Sequence, residues 1–227
     1  MKKTLVILFT FISLVSIAQE PTTLDTNKLK KIQLGLTFSP DFNFRYLKAD
    51  ANSEWISKIA DSLEVPKFGY TTGLNFSYML STKIKLGTGL IFADNGEKTK
   101  STIELQTINY KNHFYFLSVP VRLDYTFISK KVDVYATLGV SGNFFINHKT
   151  VMFEDGKKDP IQLNNHSDLQ KFTFGGLAGM GMSAKLDSKW LFKMEVLYRQ
   201  SIQSVSNNPV KKWLYSVGPN IGLYYTF

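Results

Sequence analysis

The sequence predicts an all-β fold, an eight-stranded antiparallel up-and-down transmembrane β-barrel with short periplasmic turns and long extracellular loops. Apolar and polar residues alternate with a period of two through eight segments, glycines collect on the polar face of these segments, and short and long connections alternate between them. The eight segments are 32–44, 67–80, 83–93, 114–127, 132–145, 172–186, 190–202 and 213–227.

The last segment shows the alternation most clearly. Its apolar face begins at Trp213, ends at Phe227 and carries aliphatic side chains between them, whereas its other face is small or polar, as at Ser216 and Asn220. In a soluble sheet the apolar face would point into a core. In a transmembrane barrel it would face lipid, with aromatic residues at the two interfaces.

The seven earlier segments repeat this division. Their lengths of about 11 to 15 residues exceed those of ordinary strands and suffice for a tilted membrane span. Leu123, Leu138, Met180 and Ile221 are predicted to face the middle of the membrane. The apolar faces of the seven segments are represented, in chain order, by Phe38, Phe76, Leu90, Leu123, Leu138, Met180 and Val196.

The glycines favour a barrel over a sandwich. Eleven of the 15 glycines fall on the polar face of a segment, and only Gly142 and Gly176 fall on the apolar face. Glycine weakens a strand unless the site is crowded, and the interior of a small barrel is both crowded and curved. In a sandwich the polar face would meet solvent, where nothing would require glycine.

The connections also indicate an outer-membrane barrel. Those at 81–82, 129–131 and 187–189 are short, which is typical of the periplasmic rim. The remaining connections are long and polar, which is typical of the extracellular rim. In the first of them, Trp55, Ile59 and Leu63 recur at helical spacing and predict a short amphipathic helix within 53–65. The long connections are 45–66, 94–113, 148–171 and 203–212.

The N-terminus resembles a secretory signal peptide. Lys2 and Lys3 precede an apolar stretch that ends in small residues at Ala18. This stretch is too short for a membrane anchor. We therefore expect a signal peptide at 1–18, a short periplasmic segment at 19–30 and the barrel domain at 31–227. Cleavage lowers the formal charge from +9 to +7, and the chain has no cysteine for a disulfide or a lipid anchor.

One segment resembles a known family. The stretch from Tyr115 to Tyr125, YFLSVPVRLDY, is similar to the Y-L-x-[IV]-P strand of the PorT-like outer-membrane β-barrel proteins of Gram-negative bacteria. The aromatic C-terminus and the export signal fit the same family. The resemblance implies a barrel that is exported to the bacterial outer membrane, and it supplies no shared catalytic residue. Some members of the family are linked to protein secretion.

Inward-facing charges form the sharpest candidate site. They share the polar parity of the fourth to seventh segments, and opposite charges in a narrow lumen should pair because unpaired buried charge is costly. A structural plug is the favoured interpretation, and a narrow polar path for small solutes is the alternative. The predicted lumen charge network is Arg122, Asp124, Asp133, Lys185, Lys193, Glu195 and Arg199.

The sequence favours a non-catalytic role. His113, His148 and His166 are predicted to lie in outer loops, where Ser118, Ser141 or Ser167 could partner one of them in a lipid-modifying enzyme. No histidine is predicted to lie on a strand at catalytic spacing. We therefore expect no enzyme activity, no cofactor and no metal site.

The expected function is an integral outer-membrane barrel with a structural or surface-interaction role. The alternatives are a narrow solute channel, an accessory barrel of a protein secretion system, and an outer-membrane lipid-modifying enzyme. Expected partners are outer-membrane lipid, the barrel assembly machinery acting on the C-terminal strand, and a protein at the extracellular loops. The basic residues are scattered, so no nucleic-acid partner is expected.

Overall fold

The computed structural model describes residues 32–48, 64–103, 106–154, 157–159, 169–208 and 210–227. Among these residues, no helix is long and apolar enough to cross a membrane. The described residues form ten β-strands: β1 (Ile32–Lys48), β2 (Glu64–Val65), β3 (Lys67–Met79), β4 (Ile84–Ile103), β5 (Gln106–Ser129), β6 (Val132–Glu154), β7 (Lys157–Asp159), β8 (Phe172–Lys185), β9 (Trp190–Ser201) and β10 (Lys211–Thr226).

Eight of these strands close into one antiparallel ring. Around the ring the order is β1, β3, β4, β5, β6, β8, β9 and β10, and β10 pairs again with β1. Each strand therefore pairs with its neighbours in the chain, apart from the closing pair. The short strands β2 and β7 pair with β4 and β6. The predicted eight-stranded up-and-down barrel is confirmed.

The two ends of the barrel differ in their connections. At one end, which we call the turn rim, residues 80–83, 130–131 and 186–189 join consecutive strands. The Asp187 carboxylate fixes one turn by accepting hydrogen bonds from the amides of Lys189 at 2.5 Å and Trp190 at 2.8 Å. The barrel seam also ends here, because the Phe227 amide donates to the Ile32 carbonyl at 3.0 Å. The opposite end, with the long connections, is the loop rim.

The outer face of the barrel is apolar. Leu138 is 69% exposed and Met180 is 60% exposed, while inward neighbours such as Thr137 are buried. This arrangement inverts that of a soluble protein, and it is the one expected of a barrel surrounded by lipid. All four positions predicted for the middle of the membrane, namely Leu123, Leu138, Met180 and Ile221, lie on this exposed face.

Aromatic side chains flank the apolar band at both ends. Near the turn rim, Tyr225 packs edge-on against Trp190 and Phe227, with ring centroids 5.3 and 4.9 Å apart. Near the loop rim, Tyr46 on β1 lies beside Trp213 on β10, with centroids 5.8 Å apart. Aromatic rings at two heights are the girdles that mark the two membrane interfaces.

Several strands run farther than the sequence predicted. Strand β1 continues to Lys48, so the predicted loop 45–66 is wrong over 45–48. The largest extensions are those of β4, β5 and β6. Residues 94–103 and 106–113 continue β4 and β5, and residues up to Glu154 continue β6, so the predicted loops 94–113 and 148–171 are wrong over these stretches. These extensions form a β-ribbon at the loop rim, paired from Lys98↔Lys111 to Ile103↔Gln106. The apolar alternation that reveals a lipid-facing strand is absent here, because the ribbon rises beyond the aromatic girdle.

The predicted helix within 53–65 falls mostly outside the described residues. Only its last two residues are described, and Glu64–Val65 form strand β2 rather than helix. The predicted signal peptide at 1–18 and periplasmic segment at 19–30 also lie outside the described residues.

Gly96 lies where β4 leaves β3 and continues with β5 and the short strand β2 as its partners. Pairing of β3 with β4 ends at Tyr70↔Asp94, and Gly96 follows with φ of 153°. A side chain there would collide with the Asn112 carbonyl and would also strain the backbone. The glycine therefore fixes the point at which the ribbon leaves the barrel wall.

The lipid face generates the first prediction. Leu138→Arg should destabilise the barrel by about 2–4 kcal/mol, because the guanidinium would enter the middle of the apolar band. Leu186→Arg at the turn rim, where Leu186 is 63% exposed, is the matched control and should cost about 1 kcal/mol or less. Urea unfolding of the protein in lipid vesicles measures both. Equal costs at the two sites would contradict the placement of the band.

Candidate functional site in the barrel lumen

An ion pair across the lumen lies nearest the turn rim. The guanidinium of Arg122 on β5 donates through Nη1 and Nη2 to the two carboxylate oxygens of Glu195 on β9, at 2.9 and 2.7 Å. Its Nε donates to Asp124 Oδ1 at 2.9 Å. All three side chains are buried. The planar fork of arginine matches a carboxylate in this two-bond geometry, which fixes the relative positions of β5 and β9.

Neutral side chains complete the hydrogen bonds of both carboxylates. The Tyr135 hydroxyl donates to Glu195 Oε2 at 3.0 Å, and the Asn220 amide donates to Glu195 Oε1 at 2.7 Å. The Thr137 hydroxyl donates to Asp124 Oδ1 at 2.7 Å. A buried ion pair is tolerable when its remaining hydrogen-bonding capacity is filled in this way.

Two lysines add positive charge to this layer. Lys85 lies directly opposite Asp124 in the register of β4 and β5, and its side chain is buried. Lys193 is also buried, and its ammonium lies 4.1 Å from the centre of the Tyr224 ring. A cation over an aromatic face is favourable, and more so when both are shielded from water. We call Lys85, Arg122, Asp124, Lys193 and Glu195 the lower charge layer.

A second layer centres on Asp41 of β1. Its carboxylate is fully buried and accepts hydrogen bonds from Ser39 at 2.6 Å and from Thr71. Arg199 of β9 donates to the same carboxylate at 3.1 Å. This middle layer therefore contains an ion pair that is separate from the one below it.

A third layer lies at the loop rim. The Glu97 carboxylate lies 2.9 Å from both Arg45 and Lys212, and it accepts a hydrogen bond from Asn112 at 2.9 Å. This contact ties β4 to β1, β5 and β10 across the mouth of the barrel. The third layer thus lies where the ribbon begins.

A second carboxylate of the rim, that of Asp94, lies 2.6 Å from the Lys67 ammonium and 2.9 Å from His113 Nδ1. Lys67 is fully buried. The loop rim therefore holds two separate ion clusters, one on Glu97 and one on Asp94.

An apolar cap lies beside this layer. It consists of four buried side chains with two partly buried ones packed against them: Phe114, Phe116, Val205, Leu214, Phe145 and Leu169. Val205 and Leu169 come from connections, so loop residues fold back over the mouth. A cavity of about 50 Å³ remains beneath the cap, lined in part by Asn143, Thr173 and Ser201. That volume is sufficient for a few water molecules.

A barrel with an apolar exterior, two aromatic girdles and a side-chain-filled lumen is the architecture of outer-membrane proteins. The family model described as outer membrane protein beta-barrel domain matches residues 42–207, well over half of the chain. The chain belongs to this family. The match supports an outer-membrane location and leaves the branch of the family open.

Several solved outer-membrane barrels are similar to this chain. Neisserial surface protein A is 12% identical, covers 86% of this chain and 97% of its own, and has a TM-score of 0.49. OprG from Pseudomonas aeruginosa is 18% identical with a TM-score of 0.45, covering 86% and 94%. The outer membrane protease OmpT from Escherichia coli is 8% identical with a TM-score of 0.45, covering 92% and 99%. No curated protein matches the chain.

The structure brings together part of the predicted lumen network of this barrel. Arg122, Asp124, Lys193 and Glu195 share the lower charge layer. Arg199 does not join them, because it pairs with Asp41 in the middle layer.

Two members of the predicted network lie at the turn rim instead. Asp133 accepts a hydrogen bond from Ser129 at 2.7 Å, and Lys185 is exposed. Their strand parity was right for the lumen, but they lie too close to the strand ends to be enclosed. Including them in the lumen network was wrong.

Sequence reasoning also missed several lumen residues. Asp41 has inward parity on the first strand and could have been included on that signal. Asp94 and Glu97 were predicted to lie in a loop, so strand parity could not indicate that their side chains face the lumen. Tyr135, Asn220 and Tyr224 carry no charge, and only the three-dimensional arrangement shows that they serve the ion pair.

The histidines lie elsewhere than predicted. His113 and His148 are on β5 and β6, so their placement in loops was wrong, and His166 lies outside the described residues. His113 binds Asp94, and His148 stacks on Phe114 with ring centroids 4.6 Å apart.

The serines considered as partners are far from these histidines. Ser118 is five residues from His113 along β5, or about 17 Å. Ser141 is seven residues from His148 along β6, or about 23 Å. Ser167 lies outside the described residues. Among the described residues, no group of three or more His, Asp or Glu side chains could hold a metal ion.

The lower charge layer generates the second prediction. Arg122→Ala and Glu195→Ala should each destabilise the barrel by about 3–5 kcal/mol, because each leaves a buried charge without its partner. The double variant should cost less than the sum, by about 1–3 kcal/mol. Equilibrium unfolding in vesicles supplies the four free energies.

The matched control cycle pairs Arg199→Ala with Glu195→Ala. Its effects should add, because Arg199 contacts Asp41 rather than Glu195. Additive effects of Arg122→Ala and Glu195→Ala, or equal coupling in both cycles, would show that the lower charge layer is not a unit.

Proposed function

We propose that the protein is a closed, non-catalytic outer-membrane barrel that anchors an extracellular β-ribbon and presents it to protein partners. The observation that carries this proposal is the filling of the lumen. Three layers of paired charge lie one above another inside the barrel, and an apolar cap lies beside the layer at the loop rim. A lumen occupied in this way supports a structural anchor better than a path for solutes.

The ribbon supports a role at the cell surface. Strands β4, β5 and β6 have 20, 24 and 23 residues, whereas a tilted membrane span needs about 9–11. The excess residues lie at the loop rim, which is the extracellular rim of the fold. The backbone of the ribbon is already paired, so a partner could recognise it without the large ordering cost of an unstructured loop.

The finer assignments are part of the same proposal. The strand Tyr115–Tyr125 supports the PorT-like branch of the family, and the aromatic β10 supports recognition by the barrel assembly machinery. An accessory role in a secretion system is compatible with an anchored ribbon. The separation of His113 and His148 from Ser118 and Ser141 argues against a lipid-modifying enzyme.

Planar-bilayer recording tests whether the lumen is closed. The protein should show no stepwise conductance, because side chains occupy most of its interior and leave no continuous path for water. A variant with Arg122→Ser, Glu195→Ser and Phe114→Ala should conduct, since it removes the ion pair and part of the cap. Val121→Ala and Leu123→Ala, on the lipid face, form the control and should stay silent. Regular, ion-selective steps from the unchanged protein would favour the channel instead.

Cysteine labelling tests the presentation of the ribbon. The chain has no cysteine, so a single introduced thiol reports one position. A membrane-impermeant maleimide should label Lys98→Cys on the ribbon of intact cells. It should label Lys130→Cys at the turn rim only after the outer membrane is opened. The reverse pattern, or equal labelling of both in intact cells, would contradict the proposed orientation.

A further inference from the structure

The loop rim carries two lysines at an unfavourable place. Lys48 at the end of β1 and Lys211 at the start of β10 are direct partners in the closing pair of strands, and both are exposed. Like charges directly opposite each other destabilise a sheet. Among the described residues, no carboxylate forms an ion pair with either lysine. The carboxylates of Asp94 and Glu97 at this rim are already engaged with other cations.

The height of this pair is set by the aromatic residues below it. Tyr46 and Trp213 are also direct partners, and each lies two residues from one of the lysines on the same face. Two residues along a strand are about 6.6 Å. Since the aromatic girdle marks the membrane interface, the two ammonium groups lie at the level of the lipid headgroups. Lys171, exposed just before β8, lies at the same rim.

A groove runs down the lipid face next to this lysine pair. Its volume is about 450 Å³, within the range of small-molecule sites. Its lining includes the small residues Gly176 and Ala178 of β8 and the larger side chains of Tyr198, Ile202 and Trp213. The indole of Trp213 is fixed by a 3.3 Å hydrogen bond to the Ile202 carbonyl. Trp213 thus borders the groove and lies next below Lys211.

The glycine in the lining of the groove is not required by close contacts of the backbone. A methyl group at Gly176 would meet only the Ile202 side chain, at 3.9 Å. At Gly139 and Gly181 on the inner face, by contrast, it would come within 2.5 Å of neighbouring atoms. The small residue at position 176 therefore serves the groove rather than the strand.

We infer that this region is a binding site for one anionic phospholipid. The headgroup phosphate lies between Lys48 and Lys211, and an acyl chain fills the groove over Gly176 and Ala178. The phosphate removes the repulsion between the two lysines, and the groove is apolar and surrounded by lipid tails. The site depends on the proposed placement of the loop rim at the outer membrane interface.

Native mass spectrometry of the folded protein in detergent micelles tests the site. The probes are dipalmitoyl phosphatidylglycerol, which is anionic, and dipalmitoyl phosphatidylcholine, which has the same chains and no net charge. The protein should bind one phosphatidylglycerol at least tenfold more tightly than phosphatidylcholine. Lys48→Gln with Lys211→Gln should weaken phosphatidylglycerol binding by about 20-fold, as expected for two lysines near a charged headgroup.

The matched control is Lys98→Gln with Lys111→Gln. These lysines are also direct cross-strand partners near the loop rim, but on β4 and β5, away from the groove. Their removal should change the affinity less than twofold. An equal loss in the control would mean that the whole basic rim attracts the lipid, and it would overturn a discrete site.

The groove is tested with Gly176→Leu, which should weaken binding of both lipids at least fivefold. If the Gly176→Leu variant loses the heat-modifiable band of the folded protein on a gel, Ala178→Leu is used in its place. Unchanged binding in the folded groove variant, or displacement of the lipid by equimolar inorganic phosphate, would overturn the acyl-chain site. The measurement is made in micelles, so it is independent of the conductance and labelling results that test the proposed function.

Discussion

The contact between Arg122 and Glu195 is the constraint on which the lumen depends. It joins β5 to β9, two strands that are not neighbours in the ring, and therefore spans the interior of the barrel. The backbone makes room for it. A side chain at Gly181 would lie 2.5 Å from Glu195 Cβ, and one at Gly139 would lie 2.9 Å from Arg122 Cβ. The glycines therefore leave the space that the two side chains of the ion pair occupy.

The remaining polar residues follow from the same constraint. Buried charge in a small lumen is costly unless it has partners, and in each layer the central carboxylate has at least one cation beside it. Glu195 accepts hydrogen bonds from a phenol and an amide, and Asp41 accepts them from two hydroxyls. Glu97 forms ion pairs with two cations. The interior of this barrel thus works as a core made of polar residues, while its exterior supplies the apolar surface that lipid requires.

The fold could be predicted from the sequence wherever lipid imposes alternation. The segment at 132–145 was recognised because Leu138 and its neighbours must be apolar on one face only. The ribbon formed by 94–103 and 106–113 could not be recognised, because its residues do not alternate between apolar and polar as those of the membrane-spanning part do.

The candidate site was only partly predictable. Strand parity states that Arg122 and Arg199 both face inward, but not at what height or toward which neighbour each one points. It therefore could not separate the Glu195 pair from the Asp41 pair. The opposition of Lys48 and Lys211 depends on the register of the first and last strands, which alternation does not determine.

The closing seam has a consequence for the order of assembly. The first and last strands of the described chain pair with each other, from Gln33↔Thr226 to Lys48↔Lys211. Until β10 is in place, β1 and β9 each have an edge whose amides and carbonyls lack partners, and lipid cannot supply them. A partly built sheet is therefore excluded from the hydrocarbon, and the barrel must enter the membrane and close in one coupled event.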